Sequence, residues 1–187
     1  MRSGDTGAPH VTAAEVVEFW RQAGPSLWFA RDADFDRRFR EAFLEAHEEA
    51  ARGDLDHWLT TSEGALALLL LLDQFPRNAF RGTPRMYATD PAARRTATAA
   101  VDAGHDQAMP PDLRTFFYLP FAHSEDLADQ DRSVALCRHL GPPDAEHSRR
   151  HRDIVKRFGR FPHRNVILGR TMTPEEQEFL DAGGYAG

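Results

Sequence analysis

The sequence predicts an all-α protein of about eight helices, and three observations support this fold class. Helix-capping patterns recur along the chain, apolar residues repeat every three to four positions, and no run of alternating apolar and polar residues occurs. The connections between the predicted helices are short, as in helical arrays. Residues 1–11 show no periodicity, so we expect a flexible tail followed by one helical domain over residues 12–187.

The first two helices are predicted from their caps and apolar faces. Thr12 and Glu15 form a capping box that begins a helix, and Gly24 ends it. A second helix is predicted over residues 34–52, because one apolar stripe recurs at helical spacing while charged residues cover the other sides. The stripe consists of Phe35, Phe39, Phe43, Ala46 and Ala50.

The third predicted helix is apolar on every side. Ser62 is its expected cap, and residues 65–72 contain only leucine and alanine, which favour helix over strand. A helix without a polar face is typical of the centre of a fold. We expect Pro76 to end this helix.

Five further helices are predicted from a proline or capping residue at the start and a glycine or proline near the end. They run from Asp90 to Gly104, from Pro110 to a break or kink at Pro120, from Asp129 to Leu140, from Pro142 to Phe158, and from Thr173, which forms a capping box with Glu176, to Gly183.

Composition and charge exclude several classes of protein. The chain has 187 residues, of which 41% are hydrophobic and 28% charged, as in soluble globular proteins. No apolar run is long enough to cross a membrane or to act as a secretory signal, so we expect a cytoplasmic protein. The single cysteine, Cys137, excludes an internal disulfide, and we expect a buried, inert thiol. A net charge of −6 argues against a general nucleic-acid binder.

The first of three polar segments that are candidates for function is Asp73–Gly82, directly after the predicted central helix. Asp73 and Gln74 are expected to be at least partly buried, and a buried carboxylate needs a partner, for which Arg77 is close in sequence. We include Asn78 with them as a candidate substrate-binding residue. The alternative is that these groups only cap the helix and fix the following loop.

The second segment, Tyr118–Gln130, places His123 two and three residues before the carboxylates Glu125 and Asp126. Histidine titrates near neutral pH and a nearby carboxylate orients it, so these three residues are candidates for general acid–base catalysis. Tyr118 is a candidate substrate-binding residue. The alternative is that Asp126 or its neighbour Ser124 caps a helix while His123 is a hydrogen-bonded core residue.

The third segment, residues 147–170, contains eight arginine or lysine residues and one acid, a net charge of +7. Arg157, His163 and Arg164, with Asn165 beside them, are candidates to bind an anion, because guanidinium matches carboxylate or phosphate. The alternative is a salt-bridge lattice with the acidic residues between Glu125 and Asp131. A metal site is not predicted, because His147 and His151 have helical spacing but no evident third ligand.

The three segments together resemble the bacterial family catalogued as domain of unknown function 924. The matching stretches are Leu71–Gly82, Tyr118–Gln130 and Arg157–Arg170, and the start of the last helix at Thr173 also matches. The resemblance implies an array of stacked antiparallel helical hairpins like that of tetratricopeptide-repeat proteins. It implies no activity.

Two functions remain open from the sequence, and a third is disfavoured. The preferred hypothesis is an enzyme or binding protein for a small anionic molecule, with His123 and Glu125 moving a proton and no cofactor implied. The alternative is a module that binds a peptide or protein in a concave groove lined by aromatics such as Trp28, Phe80 and Tyr118. RNA binding through the basic segment is disfavoured by the overall negative charge.

Overall fold

This computed structural model describes residues 11–187. They form α-helices joined by short connecting segments, and no strand occurs in this range. Eight of these helices have seven or more residues, so the all-α prediction is confirmed. The predicted tail lies outside the described residues except for Val11, whose side chain packs against the core. The helices are α1 (Ala13–Ala23), α2 (Pro25–Trp28), α3 (Ala33–Arg52), α4 (Ser62–Leu69), α5 (Phe75–Ala79), α6 (Asp90–Asp102), α7 (Pro111–Ala122), α8 (Leu127–Cys137), α9 (Pro142–Phe158) and α10 (Pro174–Asp181).

Helix α4 lies in the centre of the fold, as its apolar surface predicts. It packs against α1, α6 and α7, and its residues from Gly64 to Leu69 are buried. Gly64 allows a close approach of the preceding 3-10 turn, Asp56–Thr60, because a Cβ at this position would lie 2.0 Å from the carbonyl oxygen of Trp58. The Thr61 hydroxyl, rather than the predicted Ser62, caps the helix by accepting a hydrogen bond from the Gly64 amide.

The prediction that Pro76 ends the central helix is wrong. A π-helical turn, Leu70–Gln74, follows α4 without interruption and leads directly into α5. Pro76 therefore falls in the first turn of α5, and the carbonyl oxygen of Leu71, five residues earlier, accepts a hydrogen bond from His47 Nδ1 over 2.8 Å. The π turn carries Asp73 and Gln74 out of the core toward the cavity described below.

An aromatic cluster joins α1 and α3. Trp20 is fully buried, and its ring packs against Phe35 and Phe39 of the predicted α3 stripe and against Phe116 of α7. Helix α3 begins at Ala33, one residue before the predicted start, because the Asp32 carboxylate accepts a hydrogen bond from the Phe35 amide. This cluster also fixes the position of α2, which forms one wall of the cavity described below.

Further helix boundaries differ from the predictions, among them those of α8, which runs over Leu127–Cys137 rather than from Asp129 to Leu140. Asp90 is the first residue of α6 and not its cap, which leaves its carboxylate free to bind arginine. Helix α7 continues through Pro120 to Ala122, so the proline does not end it. Three-ten turns at Pro84–Tyr87, His105–Ala108 and Pro162–Arg164 connect the helices in the second half of the fold.

The C-terminal part of the fold has its own small apolar cluster. Ile154, Val155 and Phe161 form it, and Phe179 and Tyr185 pack against it. Helix α8 packs against both α7 and α9. The arrangement of stacked hairpins implied by the family resemblance stays a prediction. Within residues 11–187, no helix combines the length and the apolar character that crossing a bilayer requires.

Candidate functional site

A cavity of about 780 Å³ lies where α2, the π turn with α5, the end of α7, α9 and the C-terminal segment meet. Among the described residues, its wall is rich in cationic and imidazole side chains and contains one carboxylate, that of Asp144. The wall is completed by aromatic and apolar residues, including Trp28, Tyr87 and Phe161. The arginines and histidines are Arg31, Arg77, Arg81, Arg164, His123, His147, His151 and His163.

The hydrogen bond between Asp73 and His123 is the central feature of this site. Asp73 is 1% exposed at the end of the π turn, and its Oδ1 lies 2.7 Å from His123 Nδ1 at the end of α7. An Arg77 nitrogen lies 3.1 Å from the same carboxylate oxygen. Burial alone would raise the pKa of Asp73, but the charge of Arg77 and the contacts of His123 and Gln74 together lower it to about 2.

His123 is a neutral imidazole in this arrangement. Burial lowers its pKa, and the positive charge of Arg77 lowers it further. A carboxylate only accepts hydrogen bonds, so Nδ1 carries the proton and Nε2 carries a free lone pair. No described residue hydrogen-bonds Nε2, and this atom is not fully buried. A histidine oriented in this way has the geometry of a general base.

Gln74 is oriented by the second oxygen of the same carboxylate. Its Nε2 donates to Asp73 Oδ2 over 2.8 Å, which directs Oε1 away from Asp73. Gln74 lies on the cavity wall and is 5% exposed. Its Oε1 also has no hydrogen-bond partner among residues 11–187 and is not fully buried. One buried carboxylate thus leaves two acceptors, one on each neighbour, without a protein partner.

Arg77 is fully engaged by two carboxylates. Its Nη1 and Nη2 donate to the two oxygens of Asp90 over 2.8 Å and 3.0 Å. Burial would lower the pKa of Arg77, but the charges of Asp73 and Asp90 raise it above its usual range. Arg77 is therefore a permanent cation that neutralises these two acids and holds the π turn against α6.

Arg164 has weaker compensation for its charge. Its guanidinium lies between the rings of Tyr87 and Phe161, with its central carbon 4.5 Å and 4.6 Å from the ring centres. Its Nη2 donates to the carbonyl oxygen of His123 over 2.9 Å, while the nearest carboxylate, Asp90, is 3.6 Å from Nη1. Burial first, and then the charge of Arg77, lower the pKa of Arg164. A cation in this position favours a bound anion.

The remaining histidines cluster around Tyr185. The rings of His151 and His163 lie 4.5 Å and 5.1 Å from its ring, and the His147 ring lies 4.1 Å from that of His151, tilted by 48°. Burial lowers the pKa of His151 to about 2 and that of His163 to about 4. In the described part of the chain, no set of three or more histidine, cysteine or acidic residues has metal-binding geometry.

The structure brings together most of the predicted residues of the first segment. Gln74, Arg77 and Asn78 lie on the wall, and Asp73 lies directly behind it. Asn78 also donates to Asp36 over 2.7 Å, which ties α5 to α3. From the other two segments, His123, His163 and Arg164 reach the cavity.

Five predicted site residues lie away from the cavity wall and make other contacts. Glu125 binds Arg170 and accepts from the Phe161 amide, and Asp126 caps α8. The others bind acidic side chains: Tyr118 donates to Asp106, Arg157 pairs with Glu175 on the surface, and buried Asn165 donates to Glu176. The carboxylate partner of His123 is thus Asp73 rather than Glu125.

The salt-bridge lattice considered for the basic segment forms in part. Arg170 pairs with Glu125 over 2.7 Å, and Arg152 pairs with Asp131. Arg160 instead pairs with Glu176 of α10. Arg164 is the exception among these basic residues, because it lies on the cavity wall beside His123.

Some residues of the site were not predicted from the sequence. Asp90 is predicted as a helix cap, and no sequence pattern points to Tyr87 or Tyr185 as residues of the site. Of the aromatics proposed for a peptide groove, Trp28 lines the cavity while Phe80 and Tyr118 are buried in the core. Peptide or protein binding stays a prediction.

Comparison with known proteins agrees with this structure. A family model described as "Bacterial protein of unknown function (DUF924)" matches residues 16–184. A solved structure of a protein of unknown function, ATU0120 from Agrobacterium tumefaciens, is 58% identical, covers 91% of this chain and 97% of its own, and superposes with a TM-score of 0.90. No curated protein matches the chain. The chain therefore belongs to the bacterial DUF924 family.

Proposed function

We propose that this protein binds a small anionic molecule in the cavity and transfers a proton on it, with Asp73 and His123 acting together as a general base. The observation that carries the proposal is the 2.7 Å contact between Asp73 Oδ1 and His123 Nδ1, which leaves His123 Nε2 unpartnered at the cavity. The proposed chemistry uses only side chains of this chain.

The wall of the cavity supports direct action of the base on a substrate or on water. The described wall residues include no serine or cysteine, so His123 has no such nucleophile to activate. The one threonine, Thr115, already donates its hydroxyl to Asp144 over 2.8 Å. The proton that His123 accepts therefore comes from the bound molecule or from a water beside it.

The charge of the wall supports an anionic ligand. Arg164 is buried, its nearest carboxylate is 3.6 Å away, and that carboxylate already binds Arg77. Arg164 Nη1 donates no hydrogen bond within residues 11–187, so an anion in the cavity can accept one from it. The exposed Arg31 lies on the same wall and adds positive potential there, whereas Arg81 is paired with Asp36 over 2.6 Å.

The proposal is tested by incubating the purified protein with a bacterial metabolite extract and following the extract by mass spectrometry. We expect one anionic metabolite to be consumed by the wild-type protein and to persist with His123→Gln, which removes the base but keeps a polar side chain. The matched control is His139→Gln, because His139 is an exposed histidine away from the cavity.

Two results would overturn the proposal. One is an extract that the wild-type protein leaves unchanged. The other is a metabolite consumed equally by wild type and by folded His123→Gln.

A further inference from the structure

We infer that the molecule bound in the cavity carries at least two hydroxyl groups as well as its negative charge, and that Gln74 Oε1 and His123 Nε2 each accept a hydrogen bond from one of them. This inference rests on the proposed function, and it adds the substrate class: a small polyol phosphate or polyhydroxy carboxylate. Gln74 is then a residue that determines specificity.

The identity of the two acceptors follows from hydrogen-bond chemistry and does not depend on how the amide atoms of Gln74 are assigned. A carboxylate accepts only, so both neighbours of Asp73 must donate to it: His123 through Nδ1–H and Gln74 through its NH₂ group. Each donor leaves an acceptor at the other end of its polar group. The amide oxygen of Gln74 and Nε2 of His123 consequently face a ligand as acceptors.

Neither acceptor is satisfied within residues 11–187. Both side chains lie on the cavity wall, and no hydrogen bond from this part of the chain reaches Gln74 Oε1 or His123 Nε2. Gln74 is only 5% exposed, so its unpartnered oxygen can contact little other than what the cavity holds. Polar groups in such a position are normally paired, which points to a ligand that donates.

The arginines on the wall decide which donors are acceptable. An ammonium group has enough hydrogens for both acceptors, but it adds positive charge beside Arg164, whose guanidinium has no carboxylate of the described chain within hydrogen-bond distance. A single hydroxyl has one hydrogen and satisfies one acceptor. Two hydroxyls of one molecule satisfy both without adding charge, and the anionic group of that molecule is then free to approach Arg164.

The test uses two pairs of probes that differ only in their hydroxyl groups. Glycerol 3-phosphate is compared with n-propyl phosphate, and glycerate with propanoate, by isothermal titration calorimetry on the full chain. We expect the dihydroxy member of at least one pair to bind about tenfold or more tightly than its partner, because unpartnered acceptors disfavour the analogue without hydroxyls.

A matched pair of variants assigns the effect to Gln74. Gln74→Met keeps the length of the side chain and removes this acceptor, so we expect the preference for the dihydroxy member to become smaller, with only His123 Nε2 left to accept a hydroxyl hydrogen. Gln107→Met is the control, because Gln107 also donates to the preceding aspartate, Asp106, over 2.7 Å but lies off the cavity wall. We expect this control to keep the preference for the dihydroxy probe.

Three outcomes contradict the inference, and they separate it from the proposed function. Equal binding of both members of each pair to the wild-type chain overturns the inference and leaves the anion site intact, since water then satisfies the two acceptors. A preference of undiminished size in folded Gln74→Met also overturns it. Binding of none of the four probes counts against both the inference and the anion site. Even if Gln74→Met does not fold, the comparison of the paired probes on the wild-type chain still tests the inference.

Discussion

Asp73 Oδ1 and His123 Nδ1 lie 2.7 Å apart although 50 residues separate them in the sequence. The carboxylate is fixed by a π-helical turn at the end of the most buried helix, and the imidazole by the last turn of α7. Asp73 also holds Gln74 and pairs with Arg77, so one buried acid organises three side chains of the cavity wall.

Replacing Asp73 by asparagine is expected to destabilise the protein strongly. The substitution removes the negative charge that compensates Arg77 and places an amide where both His123 and Gln74 need an acceptor. Breaking a buried ion pair of this kind lowers the free energy of unfolding by about 3 kcal/mol, measured by urea denaturation.

The matched control is Asp54→Asn, which removes a carboxylate that pairs with Arg52 on the surface. Exposed pairs contribute little, so we expect the free energy of unfolding to change by no more than about 1 kcal/mol. A free energy of unfolding for Asp73→Asn equal to that of the wild type would contradict the role given to Asp73.

The sequence predicts the burial of Asp73 and Gln74 because the signal is local. Both follow directly on an unbroken run of leucine and alanine, and both prove to be buried. The partner of His123 was not predictable in the same way. Glu125 and Asp126 are nearer in sequence, but the first is held by Arg170 and the second caps α8.

The π turn explains a second difference between sequence and structure. Proline normally ends a helix, and Pro76 was expected to do so. The wider turn over residues 70–74 changes the hydrogen-bonding register, and the carbonyl oxygen of Leu71, five residues before Pro76, accepts a hydrogen bond from His47. This change depends on tertiary packing around Asp73, which the spacing of residues along the sequence does not reveal.

Replacing Tyr118 by phenylalanine is expected to affect stability but not ligand binding. The Tyr118 hydroxyl donates to Asp106 Oδ2 over 2.6 Å, and Asp106 is 2% exposed. Removing this donor leaves a buried carboxylate with one fewer hydrogen bond, which costs about 1–3 kcal/mol.

Urea denaturation and calorimetric titration with glycerol 3-phosphate measure the two quantities for Tyr118→Phe. Tyr118 lies off the cavity wall, so its substitution leaves the site itself unchanged. Weakened binding at unchanged stability would place Tyr118 in the site, as the sequence suggested.

The free energy of unfolding is expected to fall as the pH is lowered from neutral toward 4. Burial lowers the pKa of His151 to about 2 and that of His163 to about 4, while the unfolded chain binds these protons near pH 6.5. Between the folded and unfolded pKa values the unfolded state binds more protons, so acid favours unfolding. Each histidine contributes a slope of up to about 1.4 kcal/mol per pH unit.

His151→Phe tests this dependence, because phenylalanine keeps a ring against Tyr185 and cannot bind a proton. We expect the slope of the free energy of unfolding between pH 6 and 4 to decrease in this variant, in urea denaturations at a series of pH values. An unchanged slope would show that other groups, and not the buried imidazole of His151, carry the acid sensitivity.

Arg164 and Arg157 provide a direct test of where the anion binds. The two arginines lie in the same basic segment, but Arg164 is 7% exposed on the cavity wall and Arg157 pairs with Glu175 on the surface. Arg164→Lys keeps the charge and loses the planar group that lies between Tyr87 and Phe161, so we expect the affinity for glycerol 3-phosphate to fall about tenfold.

Arg157→Lys is the matched control and is expected to leave the affinity unchanged. Both variants are measured by calorimetric titration at two salt concentrations, because screening weakens attraction to an exposed charge more than to a buried one. If Arg157→Lys weakens binding as much as Arg164→Lys, the anion is held on the exposed surface at the end of α9. A loss confined to Arg164→Lys instead assigns the anion to the guanidinium that also donates to the carbonyl of His123, beside the general base.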